Sequence, residues 1–230
     1  MKKKQVVLWI SIVLLLLSSP VYSQVKLGFQ LGANFDTHPN FTSDYNPYGR
    51  FVSKSEGGKT KFWGSMLVEF KISDMFYIQP EFNFLTKGAK IDFMYHNPEI
   101  VDTDGRTHYT VNYSYEIPIN ILSKFNISNF TPFIFAGPSF SFLSEAKLTS
   151  PEFGLDNDID VSNSFTKNEF SINFGGGVEF PLSKSIDLFV MARYSLGITN
   201  IINNKSLLYH NLEKINIRGL AFATGIKFSI

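Results

Sequence analysis

From Val25 onward, apolar side chains recur at every second position. In "VKLGFQLGANF", residues 25–35, Val25, Leu27, Phe29, Leu31, Ala33 and Phe35 alternate with Lys26, Gly28, Gln30, Gly32 and Asn34. A period of two belongs to a strand with unlike faces, whereas a helix would need a period of 3.6. Any fold open to this chain must shield one face of a sheet from water.

The same alternation returns along the chain. Residues 62–72 set Phe62, Met66, Val68, Phe70 and Ile72 against Trp63, Ser65, Glu69 and Lys71. Residues 76–85 set Phe76, Ile78, Phe82 and Phe84 against Tyr77, Gln79, Glu81 and Asn83. Residues 111–121 place Val111, Tyr113, Tyr115, Ile117, Ile119 and Ile121 opposite Asn112, Ser114, Glu116 and Asn120. Residues 170–180, 186–198 and 220–230 alternate likewise, with Glu179, Asp187, Arg193 and Lys227 on their polar faces. In "TPFIFAGPSFSFL", residues 131–143, the apolar phase moves from Phe133 and Phe135 to Phe140 and Phe142 across Gly137-Pro138. Glycine and proline inside a strand predict a bulge there. The segments predict eight strands.

The connections alternate too. Those at 73–75, 126–129 and 182–185 are short, while those at 36–61, 94–108, 145–167 and 201–212 are long and polar. Tight turns on one side and long loops on the other mark an up-and-down barrel in an outer membrane, with the long loops extracellular and the short turns periplasmic. The N-terminus agrees with export. Lys2, Lys3 and Lys4 precede an apolar run from Val6 to Leu17, and Val21-Tyr22-Ser23 precedes Gln24. This reads as a signal peptide over residues 1–23, with residues 24–230 forming the barrel. The run is shorter than the roughly 20 residues of a spanning helix.

Composition narrows the choices further. A net charge of +1 without a basic cluster beyond the leader argues against nucleic acid as a partner. The absence of cysteine removes disulfides and thiolate chemistry. Phenylalanine is abundant, at 24 of 230 residues. A soluble barrel would have to crowd those rings into an eight-stranded interior, whereas lipid outside accepts them without packing. The apolar face is therefore expected to meet lipid, and outer-membrane lipid is the first expected partner.

The segments "KLGFQLGANF", "YIQPEFNF" (77–84), "YEIPINIL" (115–122), "PFIFAGPSFSF" (132–142) and "FGGGVEF" (174–180) span nearly the whole mature chain. Together they resemble the small outer-membrane β-barrels of the Bacteroidetes, the PorT-family or porin-family proteins. That resemblance implies an all-β, eight-stranded antiparallel up-and-down transmembrane barrel and an outer-membrane location. The namesake of the family serves type IX secretion, so an accessory role in secretion is one reading, and a small diffusion channel is another.

The inward charges are the candidate site. Alternating strand directions place Glu81, Glu116 and Arg193 near mid-height, with Glu69 and Glu179 lower. Unpaired charges in a narrow interior are costly, so these five residues are expected to form one ion-pair and hydrogen-bond network that plugs the lumen. The competing reading is an ion or proton pathway. Enzymatic chemistry would have to sit at the outer rim. His38, His96, His108 and His210 fall there, near Asp102 and Asp104, but no nucleophile–base spacing can be read across separate loops.

"DNDID", residues 156–160, begins like a calcium loop, but Val161 stands where glycine belongs and Lys167 replaces the bidentate glutamate. "DTDG", residues 102–105, reads as a turn. The expectation is a non-enzymatic barrel without cofactor or metal. Its outer loops, with aromatics such as Phe41, Tyr45, Tyr48 and Phe51, would contact envelope or extracellular proteins or stiffen the envelope.

Overall fold

The computed structural model describes residues 25–37, 41–42, 50–55, 60–96, 105–127, 129–150, 155–203 and 215–230. Residues 1–23, the expected leader, lie outside them. The strands in chain order are β1 (Val25–Thr37), β2 (Phe41–Thr42), β3 (Arg50–Ser55), β4 (Thr60–Lys71), β5 (Phe76–His96), β6 (Gly105–Lys124), β7 (Thr131–Ser150), β8 (Leu155–Asp160), β9 (Asn168–Pro181), β10 (Ile186–Gly197) and β11 (Arg218–Ser229). Eight of them, β1, β4, β5, β6, β7, β9, β10 and β11, form an antiparallel meander. The ring closes where β1 pairs β11 from Lys26↔Ser229 to Thr37↔Arg218. Closure gives every barrel strand two hydrogen-bonded neighbours, the condition for a sheet to cross a membrane.

At the short-turn end, two connections repeat one solution. In each, the two amides after the strand donate to one carbonyl: Ile72 and Ser73 to Phe76 O at 2.9 and 3.1 Å, and Leu182 and Ser183 to Ile186 O at 2.8 and 3.1 Å. The outward face is the expected apolar one. Phe29, Phe62, Phe82, Ile134, Phe174 and Phe222 all stand exposed on it.

The opposite end departs from expectation. Strand β5 continues to His96, and β7 continues to Ser150, well beyond Leu85 and Leu143. β3 adds to β5, from Arg50↔His96 to Ser55↔Ile91, and β8 adds to β7. Parts of the expected loops 36–61 and 145–167 are therefore strand. Together β2, β3, β5, β6, β7 and β8 form a wall on one side of the ring. The β5–β6 ribbon between Lys87↔Tyr113 and Tyr95↔Gly105 adds roughly 25–30 Å to its height.

Two corrections concern phase. No bulge occurs at Gly137-Pro138: β7 pairs β9 in unbroken register from Thr131↔Glu179 to Phe142↔Asn168. Odd residues point inward throughout, so Phe133 and Phe135 are buried in the barrel while Phe140 and Phe142 face out. "FGGGVEF" explains how the rings fit. A Cβ on Gly177 would come within 2.6 Å of the Phe133 ring, and one on Gly175 within 2.7 Å of the Phe135 ring. The glycines supply the volume that the phenylalanines occupy.

The bulge lies elsewhere. Register shifts between Phe84 and Lys87 on the β5 side, and around Tyr113 on the β7 side, so the phase of β6 reverses at Ser114. Tyr115 remains outside, but Tyr113 and Val111 turn fully inward rather than toward lipid. They join Tyr109, Phe165, Ile201 and Ile217 in an apolar cluster toward the loop end. The segment that carries Phe165 is held there by Tyr113 Oη donating to Thr166 O at 2.9 Å and Ala146 N donating to Ser162 Oγ at 2.9 Å.

Candidate functional site

Inward-facing side chains fill the ring in layers. Nearest the short turns, Lys26 Nζ lies 2.5 Å from Asp187 Oδ2. Above it, four strands each contribute one buried charge: Glu69 from β4, Lys124 from β6, Glu179 from β9 and Lys227 from β11. Lys124 Nζ is 2.6 Å from Glu69 and 2.7 Å from Glu179, and Lys227 Nζ is 2.5 Å from each glutamate. The result is a square of alternating sign with zero net charge. Aromatic faces cover both ammonium groups. Lys124 lies 4.5 Å from the Tyr77 ring centroid, and Lys227 lies 4.9 Å from that of Phe189. Each lysine is thus paired and shielded at once, which offsets much of the cost of burial.

The next layer holds the other expected residues. Arg193 Nη2 approaches Glu116 Oε2 at 3.2 Å, while its guanidinium stacks 4.8 Å from the Trp63 ring centroid. Glu116 also accepts from Ser139 Oγ at 2.6 Å, Asn83 Nδ2 at 2.9 Å and Asn173 Nδ2 at 3.5 Å. Glu81 is held differently. Its Oε1 accepts from Gln79 and Asn120, each at 2.8 Å, and its Oε2 accepts from Gln30 at 3.0 Å.

Toward the loop end, Lys87 Nζ pairs with Glu169 at 2.8 Å and donates to Ser171 Oγ and Ser195 Oγ at 3.1 and 3.2 Å. Asp36 accepts from Asn34 Nδ2 at 2.8 Å and from the Gly88 amide at 3.0 Å.

All five expected residues are buried in the interior. Glu69 and Glu179 meet through the two lysines, and Glu116 meets Arg193. Glu81 joins neither ion pair and is bound by neutral amides alone. Sequence reasoning left out Lys124, Lys87 and Glu169. Counting by twos from Glu116 reaches Lys124, and counting back from Glu179 reaches Glu169. Both were legible in principle, but each lies past the expected end of its strand. Lys87 was hidden because β5 was expected to stop at Leu85.

The rim residues offer less. His38 and His210 lie outside the described residues, as do the side chains of His96 and His108 and the whole of the 102–104 segment. "DNDID" is not a loop but β8 and its edge. Asp158 accepts from Thr149 Oγ1 at 2.9 Å, and Asp160 accepts from Ser162 Oγ at 2.6 Å. Among the described residues no group of three or more His, Cys, Asp or Glu side chains is arranged to hold a metal.

Residues 18–203 match the family model described as "Outer membrane protein beta-barrel domain". The chain belongs to that family. As an outer-membrane β-barrel it is similar in fold to Neisserial surface protein A, at 12% identity over 89% of this chain and 97% of that one, TM-score 0.47. It is also similar to the outer membrane protein OprG from Pseudomonas aeruginosa, at 10% identity over 91% and 97%, TM-score 0.45. The outer membrane protease OmpT from Escherichia coli aligns at 11% identity over 91% and 97%, TM-score 0.45. No curated protein matches the chain. This outer-membrane barrel presents lipid with its apolar face and buries Glu69, Glu81, Glu116, Glu179 and Arg193 inside.

Proposed function

We propose that this outer-membrane barrel is a non-enzymatic, non-conducting envelope protein whose working surface is the wall and loops at its outer rim. The observation that supports this reading is the paired packing of charged side chains across the interior. The Glu69–Lys124–Glu179–Lys227 square joins four strands across the interior, and the apolar cluster of Tyr109, Val111, Tyr113, Phe165, Ile201 and Ile217 packs toward the loop end. An ion crossing the ring would have to break buried charge pairs in a low-dielectric space.

On this reading the lumen carries no traffic, and contact with other molecules falls to the wall. Its exposed face carries polar pairs of both signs: Lys147 with Glu145 at 3.3 Å, Lys147 with Asp158 at 3.6 Å, and Asn112 Nδ2 donating to Glu145 at 3.0 Å. A mixed-charge, water-compatible sheet surface suits envelope or extracellular protein partners better than an apolar ligand.

Planar-bilayer recording tests the closure. The refolded barrel is expected to give no unitary conductance, and resolved steps with charge-sensitive selectivity would refute the reading. Membership of the PorT type rests on the quoted sequence segments alone. A gene deletion that depletes the secreted proteome would favour the secretion role, whereas one that changes only surface contacts would favour the wall.

A further inference from the structure

We propose that the wall is hinged on the barrel: it moves as one unit about a diagonal line of missing backbone hydrogen bonds at Pro80, Pro118 and Pro138. The line is visible in the ladders. β4 pairs β5 from Gly64↔Phe84 to Leu67↔Glu81 and resumes only at Phe70↔Ile78, so the ladder is open at Pro80. β5 pairs β6 as far as Pro80↔Ile119 and resumes at Asn83↔Glu116, so it is open at Pro118. β6 pairs β7 as far as Pro118↔Ser139 and resumes at Ile121↔Ala136, so it is open at Pro138. Register is the same on the two sides of each gap, so what is lost is a donor and not alignment. Proline has no N–H, and the register makes Val68, Glu81 and Ile119 the residues whose carbonyls face the three prolines. Glu81 follows Pro80 and Ile119 follows Pro118, which sets the three gaps side by side across successive seams. A closed barrel has no edge strand for proline to occupy, and an unmatched carbonyl at membrane depth is costly. The ladders among β1, β4, β7, β9, β10 and β11 run without a gap.

A second break lies just above the first. β5 and β6 share Asn83↔Glu116 and Phe84↔Tyr115 before their register shifts, and the β6–β7 register shifts around Tyr113. Higher still, the β5–β6 ribbon pairs continuously from Lys87↔Tyr113 to Tyr95↔Gly105, with β3 added along β5. β7 pairs β9 only up to Phe142↔Asn168 and then continues beside β6 and β8. A well-paired wall is thus joined to a well-paired base through a short stretch of interrupted ladder. Three contacts tie its foot to the rest of the ring. Lys87 Nζ lies 2.8 Å from Glu169 on β9, the Gly88 amide donates to Asp36 on β1 at 3.0 Å, and Tyr113 Oη donates to Thr166 O at 2.9 Å. Sub-global opening follows the boundary with the fewest backbone bonds, so release of these ties frees the wall while the base stays folded. The motion requires no partner on the wall.

Amide hydrogen exchange, resolved by residue in NMR spectra of the refolded mature chain in zwitterionic micelles, tests the hinge. Amides of residues 87–95 and 105–113 are expected to share one opening equilibrium, with protection at least about tenfold below that of the β10–β11 ladder. Tyr113→Phe removes one tie and should lower protection of the wall several-fold, leaving β10 and β11 unchanged. Pro138→Val, at a position exposed on the outer face, returns a donor to Ile119 O and should raise protection of the wall up to about tenfold. Wall protection equal to that of β10–β11 overturns the proposal. So does protection that declines steadily from Lys87 toward Tyr95, which is fraying from the tip. A uniform loss over the whole barrel in Tyr113→Phe, or a folded Pro138→Val with unchanged wall protection, overturns it as well.

Discussion

Replacing Arg193 with methionine removes the one guanidinium bonded to Glu116 while keeping most of the side-chain volume. Both partners are nearly inaccessible, at 3% and 0% side-chain exposure. Breaking a buried pair from one side costs about 3–5 kcal/mol. The lower end applies here, because Glu116 keeps the hydroxyl of Ser139 and the amides of Asn83 and Asn173. Loss of the stacking on Trp63 adds up to about 2 kcal/mol. With a urea slope of about 1–3 kcal/mol per molar, the unfolding midpoint should fall by at least about 1 M. The assay is urea unfolding in micelles followed by tryptophan emission. The chain has two tryptophans, Trp9 and Trp63, so protein refolded from Gln24 onward reports from Trp63 alone. Adding Glu116→Gln to Arg193→Met should recover a substantial part of the loss, because the orphaned charge is gone. Adding Glu81→Gln should recover less, since Glu81 has its own three donors and no bond to Arg193. A double variant with Glu116→Gln that is no more stable than Arg193→Met would refute the pairing.

Lys227→Met should cost a further-reaching 3–5 kcal/mol or so, since it leaves both Glu69 and Glu179 a cation short, and Glu179→Gln should restore part of it in the same assay. Arginine at Phe29 or Val190, on the lipid face, should cost about 2–4 kcal/mol if placed near the bilayer midplane, whereas arginine at Asp158 on the exposed wall should be tolerated; equal costs would contradict the assignment of faces. Tags inserted at Gly57 should label on intact cells and tags at Asp74 should not, with the reverse pattern overturning the orientation. N-terminal sequencing of the mature protein should begin at Gln24, and an intact leader would refute cleavage. The hydroxyl and amide of Ser162 hold the Asp160 carboxyl below the usual aspartate range. A depressed native pKa stabilises above the unfolded value and is lost as pH falls through the native one. The protection of the β8 amides, taken as the exchange rate relative to the intrinsic rate at the same pH, should therefore fall below about pH 4, and unchanged protection in that range would speak against the linkage.

Alternation is a local property, and a sequence displays local properties directly. The unlike faces of residues 25–35, the eight strands, the lipid-facing phenylalanines and the inward direction of Glu69, Glu81, Glu116, Glu179 and Arg193 all follow from counting by twos. Counting fails where the backbone breaks its period without any change in composition. Val111, Tyr113 and Tyr115 read as one continuous apolar face, yet the irregularity at Ser114 turns the first two into the barrel and leaves the third in lipid. At Gly137-Pro138 the reverse holds. The composition suggests a break, but the phase continues, because glycines on the neighbouring strand make room for Phe133 and Phe135.

Which charge meets which was also beyond the sequence. Glu69 and Lys124 are separated by 55 residues, and Glu69 and Lys227 by 158. They share a layer only because closure of β1 on β11 sets the stagger of every strand around the ring. Face is decided by each residue's neighbours along the chain. Partnership across the lumen is decided by register between strands, and only the closed barrel determines that.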